Sequence, residues 1–114
     1  MLGTYLDGLY HCDARLLGNV FHPQAPLTTI NERSLATVDA LVWLDIIAKR
    51  ESSTSRGEAR IDRIISIEFG SPETALARVQ CAIGPKLFTD FLSLIRLADE
   101  WKVVAKVYQF EPLK

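Results

Sequence analysis

The sequence predicts an α+β fold, with three helices first and an antiparallel sheet after them. Three observations carry this reading. Apolar residues in the first third recur at three- and four-residue intervals, the spacing of one helical face. After Gly57 they alternate with period two, broken by short turns. The chain has 114 residues, enough for one domain spanning 1–114 but not for two, since each half would be too small to bury a core. The order of helices before strands places the helices on one face of the sheet instead of threading them between parallel strands.

Leu2, Tyr5, Leu6, Leu9 and Tyr10 define one face of the first helix. Asp13 is placed to cap a second, whose stripe is Leu16, Leu17, Val20 and Phe21. His22-Pro23 ends it, because proline disfavours helix in the residue before it. Leu27–Ile30 reads as a short strand, Asn31–Ser34 as a turn and Leu35–Val38 as a return strand. Asp39 then caps a third helix from Ala40 to about Arg50. Its expected inward stripe is Leu41, Leu44, Ile47 and Ala48, with Trp43 close to it. Lys49 and Arg50 suit the negative end of the helix dipole. Residues 51–57 form a polar loop.

In the second half, Ile61, Arg63, Ile65, Ile67 and Phe69 are expected on one strand face, before a turn at Gly70–Glu73. Ala75, Ala77, Val79, Cys81 and Ile83 form an apolar face opposite Arg78 and Gln80. Gly84-Pro85 turns the chain into a long strand, Leu87–Leu97, and Ala98–Glu100 turns it into a last strand, Trp101–Phe110. With a two-residue turn, Phe88, Asp90, Leu92, Leu94 and Arg96 share a face with Trp101, Val103, Ala105, Val107 and Gln109. Lys106 then lies on the opposite face; a three-residue turn would bring it to Asp90. Both faces of this hairpin are rich in large apolar groups, whereas a sheet face open to water is polar. One face covers the helices. The other is expected to be covered by a second copy of the chain, through a patch of Phe91, Ile95, Val104, Tyr108 and Phe110, giving a homodimer.

Composition bounds the function. Hydrophobic residues make up 48% and charged residues 24%, which excludes a disordered chain. Thirteen Lys and Arg against 14 Asp and Glu leave a net charge of -1, so no global field draws the chain to nucleic acid or an anionic membrane. No apolar run approaches the roughly 20 residues that span a bilayer. The first residues do not read as a signal peptide, and the cytoplasm is the expected location. Cys12 and Cys81 are expected as free thiols, since two distant cysteines make no disulfide framework. Gly-rich phosphate loops, paired CxxC and HExxH are absent from the sequence. His11, Cys12 and Asp13 are consecutive, so on a helix they diverge by about 100° and no metal site is expected. No cofactor is expected. Arg56, Arg60 and Arg63, interleaved with Glu58 and Asp62, read as a solvated strand.

Asp90 is the candidate catalytic residue. Its same-face neighbours Phe88 and Leu92 are apolar, and desolvation would penalise its charge, suiting it to act as an acid or hydrogen-bond donor. The alternative is a rim carboxylate bonded to a hydroxyl or a backbone N–H. Tyr5, Tyr10, Trp43, Phe88 and Trp101 are candidate ligand contacts beside it, or core aromatics.

Tyr5-Leu6-Asp7-Gly8-Leu9-Tyr10-His11-Cys12-Asp13 and Val20-Phe21-His22-Pro23 resemble the start of the putative lumazine-binding group of the nuclear transport factor 2-like superfamily. Arg56-Gly57-Glu58, Asp62-Arg63-Ile64, Phe88–Leu94 and Trp101–Val107 continue the resemblance in order, over nearly the whole chain. The resemblance implies a cone, three helices folded on a strongly curved sheet of four to six strands with a pocket between them, and dimers joined through the sheet. Relatives range from isomerases and cyclases to domains without catalysis, so the fold does not deliver the function. The strand Leu27–Ile30 holds threonines and no carboxylate, so an isomerase-like base is not evident there. The expected function is therefore a dimeric domain that binds a small apolar or aromatic ligand. The alternatives are an isomerase- or cyclase-type enzyme with Asp90 as acid and Tyr5 or Tyr10 assisting, or a dimerisation module with a closed cone.

Overall fold

The computed structural model describes residues 1–113. Helix α1 (Leu2–His11) ends at Cys12, whose left-handed backbone returns its N–H to the last turn. Helix α2 (Ala14–Val20) begins where the Asp13 carboxylate accepts from the backbone of Arg15 and Leu16. Its buried residues are Leu17 and Val20, with Phe21 buried just beyond it. Gly8 permits the close approach of the two helices: a Cβ there would sit 2.6 Å from Leu17 Cγ.

Strands β1 (Pro26–Asn31) and β2 (Ser34–Asp39) form a hairpin. Its turn residues Glu32 and Arg33 both have positive φ, the turn whose twist matches paired strands. Helix α3 (Ala40–Ala48) starts at Asp39, whose carboxylate accepts from Val42 N–H. The expected stripe on α3 is rotated. Ala40, Trp43 and Ile47 are buried, Leu44 is half-buried, and Leu41 and Ala48 are exposed, Leu41 at 61%. The helix is apolar nearly all round, so periodicity alone did not single out the face that packs.

Strands β3 (Asp62–Ser71), β4 (Thr74–Ile83), β5 (Lys86–Leu97) and β6 (Glu100–Pro112) run as an antiparallel meander, as the alternation predicts. The six-stranded sheet has the order β2-β1-β6-β5-β4-β3. One junction departs from the antiparallel expectation: β1 lies parallel to β6, pairing Leu27 with Lys106 and Thr28 with Val107. The crossover through α3 and the meander returns β6 to β1 in the same direction. The helices pack on the concave face of this curved sheet. Tyr5, Leu17, Phe21, Leu27, Trp43, Ile47, Val79, Leu92 and Val103 fill the space between.

Of three register shifts in the meander, one of them at Gly70 beside the β3–β4 turn, two redistribute the faces. In β3 the register shifts at Ile65, so Ile64, Ile67 and Phe69 share the side of Val79, Ala77 and Ala75, while Arg63 lies on the other. The expected face of Ile61, Arg63, Ile65, Ile67 and Phe69 is therefore broken in the middle. In β6 the shift falls between the pairs Leu94–Val103 and Ser93–Ala105, leaving Val104 unpaired. One extra residue reverses every side chain beyond it. The 98–99 turn does have two residues, but Lys106, Tyr108 and Phe110 follow Val103 onto the concave face, and Ala105, Val107 and Gln109 go to the convex one.

Candidate functional site

The Val104 bulge builds the site. It sets Lys106 on the concave side diagonally beside Asp90, which pairs with Tyr108 in the ladder. The expectation that a two-residue turn keeps them on opposite faces is thus overturned by the bulge, not by a longer turn. Asp90 is 1% exposed and Lys106 5% exposed. Lys106 Nζ lies 3.7 Å from Asp90 Oδ2, and the Tyr5 hydroxyl donates to the same oxygen at 2.5 Å. The carboxylate is therefore bonded to a hydroxyl, one of the alternatives above, but at the buried floor of the cone and not at its rim. Its Oδ1 has no hydrogen-bond partner. A charge buried without a partner is costly, and here carboxylate and ammonium offset each other.

Aromatic rings surround the ammonium. Lys106 Nζ is 4.8 Å from the ring centre of Trp43, 4.9 Å from Tyr108 and 5.4 Å from Tyr5. Each offers its negative ring face to the cation. Burial pushes the Tyr5 phenol well above its ordinary range, and the neighbouring Asp90 charge adds to this. Tyr5 thus remains a neutral donor that holds Asp90 in place. Burial also pushes the Cys81 thiol up to about 12, with Asp90 adding to the rise and Lys106 opposing it. Tyr108 is raised by burial as well, against the pull of Arg50.

These groups border a cavity of about 470 Å³, open at one end. Asp90, Lys106, Cys81, Leu9 and Trp43 line it, followed by Phe88, Tyr108, Phe110 and Ile83. Thr29, Ile30, Asn31, Glu32, Arg50, Lys86 and Gln109 complete the lining and are mostly exposed. Three of the expected contacts, Trp43, Phe88 and Asp90, come together on its wall, and Tyr5 stands directly behind Asp90.

Tyr10 and Trp101 do not line this cavity. The Tyr10 hydroxyl donates to the Glu58 carbonyl, bracing the 51–61 loop, and its ring lies under Arg60. Trp101 stacks edge-on against Phe69 at the other end of the sheet. The sequence reading brings Lys106 to Asp90 only through a three-residue turn, and it does not place Tyr108, Phe110 or the mouth cations Arg50 and Lys86 at the site. The one available signal was Val103-Val104-Ala105, three apolar residues where strict alternation demands a polar one. Among the described residues, no group of three or more His, Cys, Asp or Glu side chains is placed to hold a metal ion. No helix among them is long and apolar enough to cross a membrane.

Residues 1–109 match the model of the family described as "Putative lumazine-binding". The chain belongs to this family. No curated protein matches the lumazine-binding family chain described here. Solved structures do. A nuclear transport factor 2-like protein of unknown function from Shewanella baltica OS155 is 24% identical, with a TM-score of 0.86 over 98% of this chain and 89% of that one. A ketosteroid isomerase-like protein from Erwinia carotovora atroseptica SCRI1043 is 11% identical, with a TM-score of 0.73 over 98% and 92%. A cystatin-like fold protein from Burkholderia xenovorans LB400 is 18% identical, with a TM-score of 0.71 over 99% and 88%. At these identities the likenesses establish the nuclear transport factor 2-like fold of this lumazine-binding family member.

Proposed function

We propose that this chain is a small-ligand-binding domain that acts as a homodimer, the ligand lying in the open end of the cone. The observation that carries this is the open cavity of about 470 Å³ whose aromatic wall contains a single buried ion pair, Asp90–Lys106. That volume lies within the range of ligand sites. The inner wall is aromatic around one buried pair, while Thr29, Asn31, Glu32, Arg50, Lys86 and Gln109 make the rest of the lining polar. Trp43, Phe88, Tyr108 and Phe110 supply flat surface, Asp90 the polar anchor, and Tyr5 positions Asp90. The family description and the isomerase-like neighbour support the same reading. Both cysteines are free thiols, which fits a cytoplasmic protein.

The partner is a second copy seated on the convex face of the sheet. Phe91 and Val107 oppose each other there, both exposed, with Leu76 and Leu97 nearby. This patch differs from the expected one, since Tyr108 and Phe110 lie on the concave side. Light scattering should report about twice the 12.8 kDa chain mass, and Phe91→Glu should yield a monomer.

A second reading, an isomerase- or cyclase-type enzyme, is favoured by the convergence of Asp90 and Lys106 on one wall. There Asp90 takes up or delivers a proton and Lys106 steadies the charge. The test of binding is a titration of ¹⁵N-labelled protein with a panel of aromatic heterocycles and phenols. Shifts gathered on Phe88, Asp90, Lys106 and Tyr108 support the proposal; a panel that shifts none of them overturns it. Asp90→Asn separates the readings, because an enzyme loses turnover with its ligand still bound.

A further inference from the structure

The charges of the cavity are arranged along its length. On β5 the concave side carries Asp90, then Phe88, then Lys86 toward the mouth; on β6 it carries Lys106, Tyr108 and Phe110 in the same direction. Strand rise sets Asp90 and Lys86 about 13 Å apart, with aromatic rings between.

The inner end asks for a hydrogen-bond donor. Tyr5 and Lys106 both address Asp90 Oδ2, and the buried Oδ1 has no partner. Oδ1 is closed to water-sized groups, so a small side-chain movement must uncover it; once uncovered, this unsatisfied acceptor rewards a ligand N–H or O–H and penalises a ligand that presents only acceptors or carbon. A ligand cation gains little there, because Lys106 already balances the carboxylate.

The outer end asks for an anion. Arg50 and Lys86 both line the mouth, and among the described residues neither enters an ion pair. Lys86 Nζ is held 4.5 Å from the Phe110 ring centre, so its charge stands over the wall. Glu32 is the one acid beside them on the lining. Two cations against one carboxylate leave a single positive charge, which suits a carboxylate better than a doubly charged phosphate.

We infer that the ligand is a flat aromatic acid that carries a hydrogen-bond donor at its buried end, for Asp90, and a carboxylate at its exposed end, for Arg50 and Lys86. This rests on the binding reading above and adds the polarity of the ligand to it.

Calorimetric titration at pH 7 with three probes tests it: 4-hydroxycinnamate, 4-methoxycinnamate, which lacks the donor, and methyl 4-hydroxycinnamate, which lacks the anion. The hydroxy acid should bind best. O-methylation should weaken binding about tenfold, the loss expected when a buried acceptor stays unpaired. Esterification should weaken it about fivefold, and roughly 0.5 M salt should shrink that difference, since the mouth is exposed. The double variant Arg50→Gln/Lys86→Gln, at two exposed positions, should abolish the preference for acid over ester and keep the preference for hydroxyl over methoxy. Equal affinity for the three probes, or a preference for ether or ester, overturns this inference and leaves the binding reading standing. No heat and no ¹⁵N shift on the cavity wall with any probe at millimolar concentration overturns both.

Discussion

Replacing Lys106 by methionine isolates the buried pair at the floor of the cone. Methionine keeps most of the apolar stem and removes the ammonium that lies 3.7 Å from Asp90 Oδ2. Both residues are almost fully buried, at 5% and 1% exposure. Breaking such a pair from one side costs about 3–5 kcal/mol, because the remaining charge is left uncompensated. Asp90 keeps the Tyr5 hydroxyl, which places the loss near the lower end, about 3 kcal/mol. Asp90→Asn keeps an acceptor for Tyr5 and strands Lys106 among three rings, each worth about 0.5–2 kcal/mol to a cation, so its loss should also be about 3 kcal/mol or less. The double variant buries no charge, and removing both members of a buried pair is often close to neutral, so it should lose only about 0–2 kcal/mol. The singles then overshoot the double by roughly 4 kcal/mol, the signature of direct coupling. Urea unfolding of the four proteins at pH 7, followed by tryptophan fluorescence and circular dichroism, measures the cycle. Singles that add to within about 0.5 kcal/mol of the double would refute the pair.

On α3, Ile47→Ala should cost about 2–5 kcal/mol, since Ile47 is 1% exposed, whereas Leu41→Ala should stay within about 0.5 kcal/mol; urea midpoints decide it, and a reversed order restores the stripe expected from the sequence. Glu58 is held down at about 2, chiefly by the Arg56 guanidinium, with the Gly84 N–H adding to it. A depressed carboxylate stabilises the fold above its ordinary value of 4.5 and loses that contribution as pH falls toward 2, so Glu58→Gln should flatten stability against pH between 4.5 and 2; an unchanged slope there counts against the contact. Cys81, buried and pushed up to about 12, should resist a thiol reagent at pH 8 until the protein unfolds, while the half-buried Cys12 reacts first; two equal fast phases contradict this.

The elements legible in the sequence are those fixed by local chemistry. Asp13 and Asp39 cap the helices they were expected to cap, and Ala98-Asp99 makes the two-residue turn. The face of β4 came out as read, because Ala75 to Ile83 alternates without interruption. What failed depends on tertiary context. Helix α3 offers apolar residues on several sides, and only packing against α2 and the sheet selects Ala40, Trp43 and Ile47. Bulges at Ile65 and Val104 obey no strong local signal, since both lie in runs of β-branched residues that fit either face. One of them decides the site. Asp90 was found because its neighbours are apolar, but Lys106, Tyr108 and Phe110 were assigned to the wrong face by one residue of register. Tyr5 was singled out as an aromatic, yet its hydrogen bond to Asp90 spans 85 residues and is written nowhere in the local pattern.

The proposed ligand occupies the cone against Asp90. Native mass spectrometry of the protein as purified, under conditions gentle enough to preserve the dimer, tests that most directly. The expected result is a species heavier than the polypeptide by the mass of a small organic acid, reverting to the bare mass on collisional activation and diminished in Asp90→Asn. Bare polypeptide mass in wild type and variant alike, unchanged after incubation with the aromatic panel, would contradict it.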